Sequence, residues 1–461
     1  MPYYTIKSLK TLQIIPAILH STYHAMLISE VKALLDEPKI DLQQLLIAFT
    51  DPSAKMDYNN LKLSQLGAAF INFAITLIVY CSYPKASESE LHNRRVHILK
   101  NSIIFYNEYI YELSSYINTT SQNSVNSYYQ SILNNMTNRQ DIKLMQRSSE
   151  STLTKNIKAI VGACVNTQGI DKEELGFNIM GKLMYTILTE YKDFKKVCKN
   201  ELRSGDISDL KSQIDSVECI IGYKFTNKHL LIQALTHKSY ISKITDSYER
   251  LEFLGDKVLE YMLCQYLYNN YGELSPKNFA KIKQICATNK VLFELCIKSG
   301  LNEYIISDIS MSKRLKKSLS NTKYQQITHK YNKVCSDIIE SITGALFIDS
   351  EFNNNTVYKF IDKLLGPIIN QYVAYEHGSE YTNQALNRLK LSKCKKCNVI
   401  FDLVKNSEIP EIKSRTRYII HNKVVSESQC DCSAESSYKA ALSFIDQINA
   451  NNRLITELCN C

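Results

Sequence analysis

Four short blocks from the first half of the chain return in the same order in the second half, displaced by roughly 185 residues. That period is too long for a solenoid and suits a duplicated domain. Leu45-Leu46-Ile47-Ala48-Phe49-Thr50, followed by Ser53, answers Leu231-Ile232-Gln233-Ala234-Leu235-Thr236, followed by Ser239. Leu63-Ser64-Gln65-Leu66-Gly67-Ala68 answers Leu251-Glu252-Phe253-Leu254-Gly255-Asp256. Tyr83 and Ser87 answer Tyr271 and Ser275, and Ile160-Val161-Gly162-Ala163 answers Ile342-Thr343-Gly344-Ala345. Whatever one copy folds into, the other must fold into as well.

Apolar residues recur at helical spacing through these blocks, as at Leu251, Leu254, Val258, Tyr261 and Met262, so both copies read as mainly α. Leu66 to Tyr83 carries no charge and is long enough to cross a membrane. Asn72, the lack of flanking basic residues and a charged counterpart in the second copy make it a buried core helix instead, with no membrane partner. Polar stretches at Asn118 to Gln146 and Ser307 to Tyr331 read as insertions, and Lys199 to Asp215 as a linker. After Glu376 the pattern changes. An amphipathic run, Thr382 to Leu391, gives way to alternation in Val399 to Val404 and Tyr418 to Val425, then to a last helical run, Ser436 to Ile448. With room for a third strand, the order is α-β-β-β-α.

The expected organisation is an N-terminal extension (1–24), a first copy (25–195), a linker (196–212), a second copy (213–375), a small α+β domain (380–452) and a Cys-containing tail (453–461). The length of 461 residues fits about three domains.

In the second copy two pairs of carboxylates stand out. Glu252 and Asp256 are spaced i, i+4, and Asp337 and Glu340 are spaced i, i+3, so each pair shares one helix face. Each sits in apolar company, where charge is costly unless it binds something. Four hard oxygen donors brought together would repel one another, and Mg²⁺ or Mn²⁺ would relieve that repulsion. Spacing alone more often marks a salt-bridged surface. Between Lys281 and Lys333, eleven Lys or Arg stand against three acids, Glu294, Glu303 and Asp308. Nearly all of the net charge of +9 sits there, an electrostatic footprint suited to a polyphosphate backbone as well as to a solvated loop.

The wording of the motifs separates these readings. Glu249-Arg250-Leu251-Glu252-Phe253-Leu254-Gly255-Asp256 resembles the signature of the ribonuclease III family. Leu235-Thr236-His237 with Ser239 ahead of it, and Asp337-Ile338-Ile339-Glu340-Ser341-Ile342-Thr343-Gly344-Ala345 behind it, resemble that family too, in the family's order. The resemblance implies a mainly α fold of two ribonuclease III-like all-helical domains in tandem, followed by the small α+β domain. It implies a phosphodiester hydrolase cutting double-stranded RNA to 5′-phosphate and 3′-hydroxyl ends. Mg²⁺, or Mn²⁺, would be held by Glu252, Asp256, Asp337 and Glu340, with Glu249 and Asn289 in an outer shell. Thr236 and His237 would pack and hydrogen-bond rather than catalyse. The family acid expected just after Ser275 is replaced by Pro276-Lys277, whereas the first copy keeps Glu88 after Ser87.

The first copy has Ser64 and Ala68 where the second has Glu252 and Asp256, and Lys155 and Lys158 where it has Asp337 and Glu340. It is therefore expected to be a similar fold that binds no catalytic metal. A tandem chain can form the family's paired arrangement internally, as Dicer-like enzymes do. Two chains could also pair through their second domains as a homodimer. Phe253 resembles the family aromatic that enters the partner domain, and Gln65 stands opposite it. One dead copy in an internal pair would nick one strand of a duplex. The alternative from another class is a non-catalytic RNA-binding scaffold.

Residues 380–452 are similar to a divergent double-stranded RNA-binding domain, whose last helix normally opens with lysines; here it reads Ser433-Ala434-Glu435-Ser436-Ser437. Candidate RNA contacts are Lys313, Arg314, Lys316 and Lys317 in the basic stretch and Lys393, Lys395 and Lys396 in this domain. Cys394, Cys397, Cys430 and Cys432 could hold a structural Zn²⁺, but their spacing matches no standard finger, so free thiols are expected. The N-terminus shows no compact apolar core with a small-residue cleavage site, which leads to an expectation of a reducing intracellular setting, cytoplasm or nucleus rather than an organelle.

Overall fold

The computed structural model describes residues 39–102, 146–167, 172–183, 207–240, 245–313, 329–373, 400–404, 414–420, 423–430 and 433–450, together with 31–33, 35 and 117. The chain divides into two compact units, Met1–Leu364 and Leu365–Cys461.

Among the described residues, the regular elements of the first unit are all helical. Its first copy contributes α1 (Leu42–Ala48), α2 (Leu61–Ser82), α3 (Glu88–Ser102), α4 (Gln146–Val165) and α5 (Lys172–Leu183). Its second copy contributes α6 (Lys211–Ile221), α7 (Lys228–Leu235), α8 (Glu249–Asn270), α9 (Pro276–Cys286), α10 (Asn289–Ser299), α11 (His329–Asp349) and α12 (Asn354–Leu364). The stretch expected as a linker therefore already turns helical at Lys211. Local chemistry sets the ends. Asp41, Asn227, Ser275 and Thr288 each accept a backbone N–H from the first turn of α1, α7, α9 and α10. Gly222 and Gly300 close α6 and α10 at φ of 79° and 78°.

The duplication read from the sequence returns in hydrogen bonds. The Thr50 hydroxyl donates to Leu46 O at 2.8 Å, as Thr236 donates to Ile232 O at 2.7 Å. Asn60 N donates to Thr50 O, and Tyr248 N to Thr236 O, both at 2.9 Å. Each copy then crosses its two long helices at a pair of glycines. A Cβ on Gly67 would lie 1.7 Å from Lys158 O, and one on Gly162 would lie 2.1 Å from Leu63 O. In the second copy, a Cβ on Gly255 would lie 1.8 Å from Glu340 O, and one on Gly344 would lie 2.4 Å from Leu251 O. Only glycine permits this approach. It fixes the residue correspondence: Lys158 stands where Glu340 stands, and Ser64 stands one residue past Leu63 as Glu252 stands past Leu251.

The two copies pack along α2 and α8. Phe73 stacks on Tyr261 with centroids 5.2 Å apart, and Phe70 meets the same ring edge-on at 5.2 Å. Tyr261 is fully buried, and its hydroxyl donates to Glu173 at 3.2 Å. By length and composition α2 could cross a membrane, but 83% of its apolar window is buried inside the protein, which answers the expectation of a core helix.

The contacts around this core are reciprocal, as in a twofold pairing. Lys62, on the first turn of α2, donates to Gly272 O just beyond α8. Arg250, its counterpart on α8, donates to Tyr83 O (3.0 Å) and Ala86 O (2.8 Å) just beyond α2. Gln65 donates to Pro276 O at 3.0 Å, while its counterpart Phe253 lies under the Arg95 guanidinium at 5.5 Å.

The second unit contains an antiparallel sheet of order β1-β2-β3, formed by β1 (Ile400–Val404), β2 (Ser414–Ile420) and β3 (Lys423–Cys430), with α13 (Ser433–Ala450) packed on it. Phe444 stacks on the buried Tyr418 at 5.0 Å, and the Ser436 hydroxyl donates to Ser428 O at 2.8 Å. The stretch of alternation from Tyr418 to Val425 spans the end of β2 and the start of β3, which gives the three strands of the expected order. The expected helix at Thr382 to Leu391 lies outside the described residues, as does most of each expected insertion.

Candidate active site

The glycine crossing of α8 and α11 brings the predicted acids together. Glu252 lies on the first turn of α8, and Asp337 and Glu340 lie one turn apart on α11. One carboxylate oxygen from each of these three lies within 4.8 Å of the others. Asp256 stands at the rim. Its Oδ2 pairs with Lys257 Nζ at 3.1 Å and its side chain is 43% exposed, although its charge still acts on Glu340. The quartet expected from the sequence is thus a tight trio with a fourth acid beside it, drawn aside by its own neighbour in the chain.

The electrostatics of the trio follow from burial. Burial first, and the Asp337 carboxylate second, push Glu252 up to about 7. Burial also raises Asp337, against the pull of Lys333 and Tyr248, and it raises Glu340 well above the usual carboxylate range, with Asp256, Asp337 and Glu252 adding to the effect. A set of carboxylates that hold one another's protons on gains from any cation placed between them. The donor set is all oxygen and partly desolvated, which fits a hard divalent ion such as Mg²⁺ or Mn²⁺.

Several residues of this site were not singled out from the sequence. Lys333 Nζ lies 3.0 Å from Glu252 Oε1 and 3.1 Å from Asp337 Oδ1. Burial works to lower the Lys333 ammonium, but Asp337 and Glu252 outweigh it and hold the group above its ordinary value. Its i, i+4 spacing from Asp337 was the available signal. The buried Tyr248 donates its hydroxyl to Asp337 Oδ2 at 3.2 Å. Burial, then the charge of Asp337, raise this phenol far above its ordinary value, so it stays a donor. Arg95 of the first copy faces Asp256, Glu260 and Glu88, and the charge of Glu88, also from the first copy, reaches Glu252.

The remaining predicted residues lie as follows. Glu249 turns away from the trio, pairing with Lys238 Nζ at 2.8 Å and accepting from the Ser247 hydroxyl at 3.3 Å. Asn289 is exposed at the first position of α10. Thr236 and His237 are buried: the His237 Nδ1 accepts from Ser239 N at 3.0 Å, and the ring meets Tyr248 edge-on at 5.7 Å. His237 thus supports the tyrosine that holds Asp337. Lys313 is exposed. Arg314, Lys316, Lys317, Lys393, Lys395, Lys396, Cys394, Cys397 and Cys432 lie outside the described residues, and of Cys430 only its place at the end of β3 is described.

In the first copy, Ser64 is buried and Lys155 and Lys158 are half-buried, so no carboxylate occupies any of the corresponding positions. Burial holds the Lys158 ammonium below its ordinary value.

Two family descriptions match the chain: "Ribonuclease III domain" over residues 61–169 and "Ribonuclease-III-like" over residues 227–368. Endoribonuclease Dicer homolog 2b of Oryza sativa subsp. japonica is 26% identical over 348 residues, 71% of this chain and 24% of the relative. Endoribonuclease Dicer homolog 2 of Arabidopsis thaliana is 33% identical over 163 residues, 33% of this chain and 12% of the relative. Among solved structures, the nuclease domain of ribonuclease III from Campylobacter jejuni is 26% identical, with 33% of this chain and 97% of that one covered and a TM-score of 0.28. The chain spans about a quarter of the length of the first of these relatives. With one match on each copy of the repeat, the chain belongs to the ribonuclease III family and carries two ribonuclease III-type domains in tandem.

Proposed function

We propose that the chain is an endoribonuclease that hydrolyses double-stranded RNA at one divalent-metal site in its second domain, leaving 5′-phosphate and 3′-hydroxyl ends. The observation that carries this reading is the convergence of Glu252, Asp337 and Glu340 on one partly desolvated spot. Mg²⁺ or Mn²⁺, when bound, would lower the pKa of a water and stabilise the leaving oxygen of an in-line displacement. Glu252, Asp337 and Glu340 would hold the ion, with Asp256 beside them at the rim. Tyr248 holds Asp337 in place through its hydroxyl. Lys333, held by Glu252 and Asp337 with its side chain 58% exposed, keeps a positive charge at the rim, where it can meet a phosphate oxygen.

The first domain is read as a catalytically inactive partner in an internal pair. The reciprocal contacts of Lys62 and Arg250 support this, as does the lack of acids at Ser64, Ala68, Lys155 and Lys158. Glu88 then acts across the interface, its charge felt at Glu252. The second unit is read as a divergent double-stranded RNA-binding domain, on the strength of its three-stranded antiparallel sheet with a helix on one face.

The test is digestion of long duplex RNA with and without Mg²⁺ by the unmodified chain beside Glu340→Gln. The isosteric change removes a direct ligand, and loss of even an outer contact to a metal typically costs 10–100-fold, so a fall of about 100-fold or more is expected. Equal Mg²⁺-dependent rates for the two proteins would remove the assignment and leave an RNA-binding scaffold. A duplex labelled on both strands tests the internal pair, for which cutting of one strand per encounter is expected.

A further inference from the structure

The first copy does more than lose its acids. At the spot related to the acidic trio by the repeat, it carries the opposite charge. The glycine crossings fix the correspondence, because Gly67 lies over Lys158 O as Gly255 lies over Glu340 O. Lys155, one turn earlier on α4, takes the place of Asp337, and the neutral Ser64 and Ala68 replace Glu252 and Asp256. Two ammonium groups spaced i, i+3 share one face of α4 and repel each other. Lys158 is half-buried, and among the described residues no carboxylate offsets the effect of that burial. Asp51, in the loop ahead of α2, is buried and commits one oxygen to Ser53 N at 2.9 Å. A partly desolvated pair of cations of this kind is stabilised by an anion.

The reciprocal contacts across α2 and α8 indicate which anion. Lys62 and Arg250 each donate to backbone carbonyls of the turn that follows the long helix of the opposite copy, and Gln65 and Phe253 meet equivalent elements, so an approximate twofold relates the copies. The two strands of a duplex are themselves related by twofold axes. A duplex placed with one strand's phosphate at the acidic trio therefore offers an equivalent phosphate of the other strand to Lys155 and Lys158. The acids of the second copy would repel a phosphate unless a cation offset their charge, whereas the lysines of the first copy can pair with one directly.

We propose that Lys155 and Lys158 form a phosphate-binding site for the backbone of the uncut strand, turning the inactive domain into a clamp that holds the duplex in register for the active one. This rests on the reading that duplex RNA lies across both copies.

The test uses the full chain carrying Glu340→Gln, so that binding is measured without cleavage, and a fluorescent duplex RNA across a salt series. Lys155→Gln with Lys158→Gln is expected to weaken binding by about tenfold at low salt and to make the salt dependence shallower by about one to two units, as the loss of one or two phosphate contacts requires. Lys155→Arg with Lys158→Arg, which keeps the charge, is expected to bind as the unsubstituted lysines do. Melting curves report whether each variant folds. Folded Gln variants with unchanged affinity and slope would overturn the proposal, as would folded Arg variants that bind as poorly as the Gln ones.

Should the Gln variants not fold, neutral methylphosphonate linkages scanned along both strands carry the test on the native lysines. One position on the strand opposite the acidic trio must weaken binding by about tenfold, and a flat scan overturns the clamp. Stabilisation by millimolar inorganic phosphate as large as that by duplex would indicate a free-anion site and overturn the strand assignment. All these arms read binding alone. Loss of the nuclease reading would show instead as no Mg²⁺-dependent cleavage by the unmodified chain.

Discussion

Glu252, Asp337 and Glu340 stay close at the expense of their own ionisation, and this makes the site's response to pH and to metal calculable in sign. Glu252 is raised from 4.5 to about 7 in the folded protein. A carboxylate whose folded value exceeds its unfolded one favours the folded state below the unfolded value, and that advantage is lost as pH rises through the folded value. Without metal, the melting temperature is expected to fall as pH rises from about 4.5 through about 7. Mn²⁺ binds the ionised form, so it should raise the melting temperature more at pH 7.5 than at pH 5.5. A larger gain at the acid end would contradict the metal assignment. Lys333→Met removes the ammonium that bridges Glu252 and Asp337, so the ion-free variant should melt lower at neutral pH and gain more from Mn²⁺ than the unmodified chain. The acids themselves were legible because the motif around them is continuous in sequence. Tyr248 was not, because its role exists only once α11 and the loop before α8 meet, and Lys333 offered only its spacing from Asp337, its contact with Glu252 arising when α8 and α11 cross. The rim position of Asp256 depends on Lys257, whose reach no spacing rule states.

At the scale of elements, the site depends on how closely α8 and α11 approach. Gly255→Ala places a Cβ 1.8 Å from the Glu340 carbonyl, a backbone atom that no rotamer change can move aside. Overpacking of this kind costs about 1–3 kcal/mol and sometimes more. The acids on either side of the crossing would be forced apart as well, so the variant should lose both melting temperature and Mn²⁺ response. Gly67→Ala makes the same clash in the first copy, with Lys158 O, and should lower the melting temperature while leaving the Mn²⁺ response of the remaining folded protein unchanged. Differential scanning fluorimetry with and without Mn²⁺ separates the two; a tolerated Gly255→Ala would mean the crossing does not set the site. These glycines were visible in the repeat as Gly67 with Gly255 and Gly162 with Gly344, although the sequence could not say that they face each other. Helical periodicity and the charged counterpart of α2 were enough to read it as a core helix. In the C-terminal unit, the stretch from Tyr418 to Val425 covers the end of β2 and the start of β3, and an apolar–polar pattern carries no mark of where one strand ends and the next begins.

At the scale of the whole molecule, the question is whether the face of α8 that pairs with α2 is left free for a second chain. Phe253 lies against Arg95 of the first copy, and Tyr261 is fully buried against Phe70 and Phe73, so this face of α8 is covered by the first copy. On the proposed reading, the acidic trio found among the described residues serves a single chain, and its cutting should not depend on meeting another chain. Mixing unmodified protein with Glu340→Gln at constant total concentration tests this directly. If each chain acts alone, the rate on excess duplex falls in proportion to the unmodified fraction, and each encounter nicks one strand. If two chains pair through their second domains, mixed pairs form, and coupled cutting of both strands falls as the square of that fraction. Arg250→Ala sharpens the contrast, because it removes the donor to the Tyr83 and Ala86 carbonyls that ties the copies together. Loosening an internal pair should lower the nicking rate and the melting temperature together. In a chain that works by pairing with another, the same substitution would free the α8 face, and cutting of both strands would rise with protein concentration.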